Sequence, residues 1–587
     1  MTFFRGFHGQ ACLSLLLLAF AGFGSVSHII AQIAQPRGEP EVLGARSEPP
    51  RLTADGEAAL HNLLEAGELS DLERPNFSTY QIDVKVFYQA FDDTLPWTQQ
   101  GKPTGQALAI IRALKNAEYQ GLRPKDYDGA RWDGRLAQLE RSPAPESALV
   151  RFDLALTICT MRYISDLHIG RVNPRQFHYD LEISHTKFDL AEFLRQKLVA
   201  SQDVDAALES AEPPFPLYRR TKAALATYLD LVRRDDGGLL PTPAKPVKPG
   251  DVYAGVPRLA KLLALVGDIP SEGQHTDNLY RGDLIEGVKH FQQRHGIAAS
   301  GLIDAPTLKQ LNVPLSQRAD QLLLTMERLR WLPHAFDRPP IVVNIPEFRL
   351  RADDDQFHWA LSMNVVVGKA YGNHHTPVFA SQIKSVIFRP YWNVPESITR
   401  AELLPHIKKD PRYLAENDYE IVNSSGAVVS EGIVNAEIES RLRSGALRIR
   451  QKPGPKNALG LIKFDIPSSY DVYMHSTPAP ELFSKSRRDF SHGCIRVERP
   501  VALADWVFQG QPAWTEDRIE AAMNGDKTFE VKLARPVPVL ILYGTAIVME
   551  NGEVHFFDDI YHYDADLERA LTEGVESTAV IQAPAGR

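Results

Sequence analysis

Cysteine is scarce in this chain of 587 residues, which has three: Cys12, Cys159 and Cys494. That excludes a disulfide scaffold and leaves several hydrophobic cores to hold the fold. An excess of positive charge is also missing, since 65 Lys and Arg stand against 74 Asp and Glu for a net charge of −9. No nucleic-acid partner and no polybasic membrane binding are expected from that balance. Disorder is excluded as well, because hydrophobic residues at 44% and charged residues at 24% are those of an ordinary globular chain. Long uncharged apolar runs are absent except at the start. Residues 11–34 contain no Asp, Glu, Lys or Arg, and the Leu-rich stretch 13–23 has signal-peptide length. Small residues at Ser25 and Ser27, or Ala31 and Ala34, suit cleavage, yet the run is also long enough for an uncleaved anchor. Residues 1–34 therefore read as a signal peptide or membrane anchor. An exported protein is expected, touching the membrane only there.

The length calls for three or four domains. Pro, Gly, Glu and Arg enrichment over 35–75 predicts a linker. Helical text follows over 76–245, where Phe152, Leu156, Cys159, Tyr163 and Leu167 share one helix face. A second helix is expected near 106–120, stopped by Gly121. Pro241, Pro243, Pro246 and Pro249 mark a boundary. Residues 252–313 form a small helical unit, with Leu284, Val288 and Phe291 on one face and Gly296 and Gly301 at turns. Beyond a helix over 316–332 the period falls to two. The β-branched runs 341–345, 360–367 and 383–388 predict strands. Asn551-Gly552, between the apolar runs 537–549 and 554–557, predicts a hairpin. Residues 397–452 interrupt the strand rhythm and read as a capping insertion; residues 564–587 read as a polar tail.

Chemistry is densest at Tyr473-Met-His475 and Ser491-His492-Gly493-Cys494-Ile495-Arg496. A thiol attacks carbonyls as the thiolate, which a neighbouring imidazole can stabilise as an ion pair. Cys494 follows a glycine that lets a substrate approach the backbone, and the amides of Gly493 and Cys494 are candidate oxyanion donors. His475 lies nineteen residues upstream of Cys494, so only a chain return brings the two together. Other readings stay open on the residues alone. Cys494 can be an inert core cysteine or the partner of Cys159 in a disulfide. His475, His492 and Cys494 can also be weighed as metal ligands, although no C-x-x-C or H-E-x-x-H motif accompanies them.

The spacing from His475 to Ser491-His492-Gly493-Cys494 resembles the signature of the L,D-transpeptidases with a YkuD-type catalytic domain. Residues 343–348 (VNIPEF), 363–368 (MNVVVG), 390–395 (PYWNVP), and 453–457 (PGPKN) with Gly460 and Lys463-Phe464 are similar to that family too. Residues 91–97 (FDDTLPW) and 121–127 (GLRPKDY) resemble its helical scaffold domain, and 252–313 resembles its peptidoglycan-binding domain. The resemblance implies an α+β multidomain protein. It would combine a mainly β catalytic sandwich over 314–563 with a helical cap insertion at 397–452, an α-helical scaffold domain and a small three-helix peptidoglycan-binding domain.

It further implies a periplasmic enzyme of cell-wall biogenesis and cell shape, free or anchored to the inner membrane, that forms 3→3 cross-links between peptidoglycan stems. Cys494 would be the nucleophile that expels D-alanine and leaves a thioester, and His475 the base. Ser491, His492 and Gly493 complete the motif, with His492 orienting the loop or the base. Tyr473 would aim its hydroxyl at the oxyanion, or else be a satisfied strand tyrosine. Arg496 would hold a substrate carboxylate or, in the reading preferred from the residues, brace the loop. Trp392 would stack over the substrate, or belong to the core. The chemistry calls for no cofactor and no metal. The partners implied are peptidoglycan stem peptides and glycan, with carbapenem β-lactams as covalent inhibitors. The same site could release its thioester to water as an L,D-carboxypeptidase or cross-link hydrolase, and a non-enzymatic wall-binding protein is the third reading. The basic run from Arg441 to Lys456 reads mostly as a solvated face, and the pair His374-His375 as an unpartnered loop.

Overall fold

A computed structural model of the chain describes residues 51–140, 144–177, 179–181, 188–270 and 277–573. The leader or anchor expected over 1–34 lies outside the described residues. Among those described, no helix is long and apolar enough to cross a membrane.

The apolar stripe predicted around Cys159 lies in the longest helix, Glu146–Ile169, which is buried on nearly every side. Helices Ala54–Ala66, Gln81–Gln89 and Gly105–Lys115 surround it, and Leu60, Phe87, Trp97, Ile110 and Leu156 share its core. Asp153 lies inside this bundle, accepting from the Tyr88 hydroxyl at 2.8 Å and from the Trp97 amide at 2.9 Å. These bonds tie the segment 91–97 to the long helix. The linker expected over 35–75 is thereby corrected, because residues 54–66 are helical. Thr53 caps that helix by accepting from the Gly56 amide, Gly67 ends it at φ 64°, and Leu60 and Leu64 enter the bundle core. Their helical spacing outweighs the linker-like composition around them.

The boundary expected near residue 245 does not separate two cores. Helix Pro216–Arg234 packs on helix Leu315–Arg330. Its Tyr218, Leu225 and Tyr228 join Leu259, Leu284 and Val288 of the small helical unit, and Ile341, Val386 and Ile541 of the strands, in one hydrophobic core. Each piece has an apolar face too small to be stable when buried alone, so the pieces share one interior.

Eight strands of the C-terminal region build its main sheet: β1 (Ile341–Asn344), β2 (Arg349–Asp353), β3 (Trp359–Gly368), β4 (Val378–Phe388), β5 (Ile462–Asp465), β6 (Met474–His475), β7 (Ile495–Val497) and β8 (Phe529–Leu542). β1, β2 and β3 form an antiparallel meander, β3 pairs with β7, β7 runs parallel to β6, and β6 pairs with β5. β5 pairs with β4, β4 with β8, and β8 runs parallel to β1. The path therefore returns to its start. This corrects the expected sandwich: β4 bonds to β5 and to β8 through the same residues, Ser385–Phe388, and one ring closes where two sheets were expected. Closure leaves no free edge among the eight strands. The hairpin expected at Asn551-Gly552 forms between Ala546–Val548 and Val554–Phe556.

Residues 392–451 leave the ring between β4 and β5. They form a four-stranded sheet with helices Leu404–Lys409 and Ala436–Arg443 around a core of their own, including Leu404, Leu414, Ile421, Leu442 and Ile449. Trp392 and Asn393 pair with Gln451 and Arg450, so this insertion begins five residues before the expected start. Its basic residues are largely ion-paired at the surface, Arg443 with Glu439 and Lys452 with Glu431 among them. The tail expected from residue 564 is helical through Glu573, and Leu567 and Leu571 lie in the main core; the rest of it lies outside the described residues.

Candidate active site

Strand register assembles the site. Met474 lies opposite Ile495 and His475 opposite Arg496 across the parallel β6–β7 pair, and the Ile495 amide donates to the Tyr473 carbonyl at 3.0 Å. Side chains alternate between the faces of a strand. Met474 and Ile495 are fully buried in the barrel core, which puts Tyr473, His475, Cys494 and Arg496 together on the other face. The chain return that the spacing left open is therefore a parallel strand pair. Lys463 of β5 is in register with His475 on this face, and its ammonium lies 4.2 Å from the centre of the Tyr473 ring.

Both members of the expected catalytic pair are held uncharged. Burial pushes the Cys494 thiol above its ordinary 9.0, although Tyr473 opposes that rise by hydrogen bonding and the nearby Lys463 and Arg496 charges oppose it too. Burial and the Arg496 guanidinium drive His475 down to about 3. The expected resting thiolate–imidazolium ion pair is corrected on this point, because a dry site favours the neutral form of each group. His475 Nδ1 lies 2.6 Å from the Ser476 carbonyl. A carbonyl only accepts, so Nδ1 carries the proton and Nε2 keeps a lone pair for a base's work. The Cys494 sulfur itself donates to the Asp471 carbonyl at 3.8 Å. Cys494 and Cys159 are both free, so no disulfide joins them. Among the described residues no group of three could hold a metal ion.

The loop around the nucleophile is built by its own polar groups. The Ser491 hydroxyl donates to the Cys494 carbonyl at 2.6 Å and accepts the Gly493 amide at 3.1 Å. This corrects the reading of Gly493 as an oxyanion donor, since its N–H is already engaged. Gly493 has φ 120° and its carbonyl accepts the Thr376 hydroxyl at 2.8 Å. Thr376 Oγ1 also accepts the Gly368 amide at 2.8 Å, and the Thr376 amide donates to the Tyr561 hydroxyl at 3.1 Å. A Cβ on Gly368 would lie 1.8 Å from the His374 carbonyl, so that position must be glycine. The pair His374-His375 is therefore not unpartnered. His375 stacks on Tyr561 at 4.0 Å between ring centres, and His374 meets His492 edge-on at 4.8 Å.

His492 turns toward the insertion, its Nε2 lying 2.5 Å from Glu402 Oε1. Trp392, half-buried on the margin of the insertion core, interacts through its indole with the Tyr473 hydroxyl, which also interacts with the Cys494 sulfur. Burial first, and the neighbouring Cys494 sulfur, keep that phenol protonated. Arg496 is half-buried beside Cys494; its Nε is buried without a partner and burial lowers its pKa. The sequence reading missed Thr376 and Glu402. Only the hydroxyl of Thr376, beside a histidine pair, hinted at a polar role, and nothing near Glu402 distinguished it from surface charge.

Residues 338–515 match the model of the L,D-transpeptidase catalytic domain (YkuD), and residues 83–225 match the scaffold domain. A Haemophilus influenzae protein named "Putative L,D-transpeptidase" is 34% identical to this chain over 268 residues, which are 45% of this chain and 51% of that protein. The chain thus spans about half the length of the curated relative it matches. With a nucleophile motif on a closed β ring and a helical bundle ahead of it, the chain carries a YkuD-type L,D-transpeptidase catalytic domain together with a scaffold domain.

Proposed function

We propose that this protein is a peptidoglycan L,D-transpeptidase that forms 3→3 cross-links through a thioester on Cys494, outside the cytoplasm, in cell-wall biogenesis. The observation that carries this reading is the β6–β7 register, which sets Tyr473, His475, Cys494 and Arg496 on one face. The Cys494 sulfur attacks the carbonyl of the third stem residue, and its proton passes to His475 Nε2 as the S–C bond forms. The Cys494 amide and the Tyr473 hydroxyl steady the oxyanion. Its collapse breaks the C–N bond, and D-alanine leaves with the proton from His475. An amine from a second stem then attacks the thioester, passes its proton to His475, and frees the thiol.

Starting from a neutral pair, the proton moves only as the carbonyl is attacked, which spares the buried site a resting charge. Arg496, half-buried with its Nε unpartnered, holds a carboxylate of the stem. Ser491 and Thr376 keep the nucleophile loop in shape, and residues 252–313 bring the enzyme to glycan.

The test is intact-mass analysis with a carbapenem: one covalent adduct on the wild type and none on Cys494→Ala is expected. Tetrapeptide stems would yield cross-linked dimers and free D-alanine. Tripeptides without dimers would mean that water takes the acceptor's place, and a Cys494→Ala variant with full cross-linking activity would overturn the assignment.

A further inference from the structure

A groove of about 750 Å³ runs between the small helical unit and the barrel, and the reaction above makes no use of it. The segments 293–297 and 305–310 of the helical unit form one side. The β1–β2 turn, 346–349, and the segment 486–488 that leads into the nucleophile motif form the other. Residues 346–348, the end of the short sequence 343–348 noted above only for its resemblance, therefore line a cleft.

The cleft is richer in cations than in carboxylates. Lys309, Arg349, Arg487 and Arg488 line it, against Glu347 and Asp558. Glu347 is already paired with Arg351, and Arg487 with Asp489 at 2.7 Å. Arg488 is 8% exposed and donates to the backbone carbonyls of Val365 at 3.2 Å, Phe348 at 3.0 Å, Ser486 at 3.5 Å and Lys485, so its guanidinium is already engaged by the backbone. Among the described residues no carboxylate forms an ion pair with Arg488 or Arg349. Burial, and the charge of Arg349 beside it, push Arg488 down to about 10. Glu498 and Glu347 offset part of that crowding of positive charge, and a further anion beside Arg349 would offset more of it. Arg349 follows Phe348, whose φ of 56° is rare for a bulky side chain. Strain of that kind persists where the surroundings impose it, commonly at binding sites. Across the cleft Lys309 is mostly exposed and lies 3.2 Å from Asp558. Gln293, Asn364 and Phe557 add amides and an aromatic ring to the lining. Cations, amides and an aromatic ring together suit a saccharide strand that bears carboxylates.

We infer that this groove binds the peptidoglycan strand itself, with Arg349 and Lys309 taking carboxylates of its stems while the neighbouring motif loop works on one of them. The inference rests on the wall-polymer reading above and adds a place for the polymer to lie. Its test uses the full-length Cys494→Ala chain, which binds without turnover, and purified sacculi as the probe in a pelleting assay. Arg349→Glu and Lys309→Glu are each expected to weaken binding about tenfold, the scale of one lost charge contact. Sacculi whose carboxylates are blocked by carbodiimide amidation should bind the parent chain as weakly, and added salt should weaken binding to untreated sacculi. Thermal unfolding of each variant checks its fold, and Lys309→Glu on the surface carries the test if Arg349→Glu does not fold. Binding that is unchanged in both variants, or unchanged on amidated sacculi, overturns the inference. Carbapenem acylation of the wild type is read separately. Acylation without groove-dependent binding sinks the groove alone, and groove-dependent binding without acylation sinks the cysteine chemistry alone.

Discussion

Cys494 and His475 sit in surroundings that disfavour charge on either, and this has a kinetic signature. A thiol whose pKa lies above 9.0 in the folded protein is mostly protonated at neutral pH, and its thiolate fraction grows as pH rises. Alkylation of Cys494 by iodoacetamide, followed by mass spectrometry, should therefore climb about tenfold per pH unit from about pH 6 to about pH 9. A plateau near neutral pH would show a resting ion pair and refute the neutral start. The Thr376 hydroxyl serves Gly493 and Gly368 at once. Thr376→Val keeps the shape and removes both bonds, leaving a buried carbonyl and a buried amide without partners, at a cost of about 1–3 kcal/mol. A lower thermal midpoint is expected together with slower acylation by a carbapenem, because the loop that carries Cys494 loses its strut.

At the scale of elements, the insertion has a core of its own but touches the site at two points, Glu402 on His492 and Trp392 on Tyr473. Damage inside that core should loosen the insertion and spare the ring. Ile421 is fully buried there, and Ile421→Ala should cost about 2–5 kcal/mol. Hydrogen exchange should rise across 392–451 while β1, β4 and β8 stay protected. Equal loosening of ring and insertion would show that the two are one cooperative unit. The strands themselves were legible. The runs predicted at 341–345, 360–367 and 383–388 fall within or overlap β1, β3 and β4, because alternation reports which face a strand buries. Ring closure was not legible, since nothing in β5 or β4 alone says that they bond to each other across the intervening chain, residues 389–461.

For the whole molecule, the decisive feature is the shared interior. Helix Pro216–Arg234 and the pair Tyr179–Asp180 belong to the barrel's core and sheet. A chain cut to begin at residue 252 would expose the faces they cover, and it should be insoluble or molten when expressed. One beginning near residue 170 should keep the barrel folded more readily, as judged by solubility and a cooperative thermal transition. If the shorter chain folds as well as the longer, the common core is not needed.

The amino-acid sequence by itself determined the family resemblance, the helical and strand-forming stretches, and the identity of the nucleophile and base, because local spacing and residue chemistry are written along the chain. Only the tertiary structure decided that His475 lies beside Arg496, that Ser491 has already claimed the Gly493 amide, that the Arg496 Nε is buried without a partner, and that helices hundreds of residues apart share one core. Those facts depend on hydrogen bonds and burial between distant segments, which form only when the chain closes on itself.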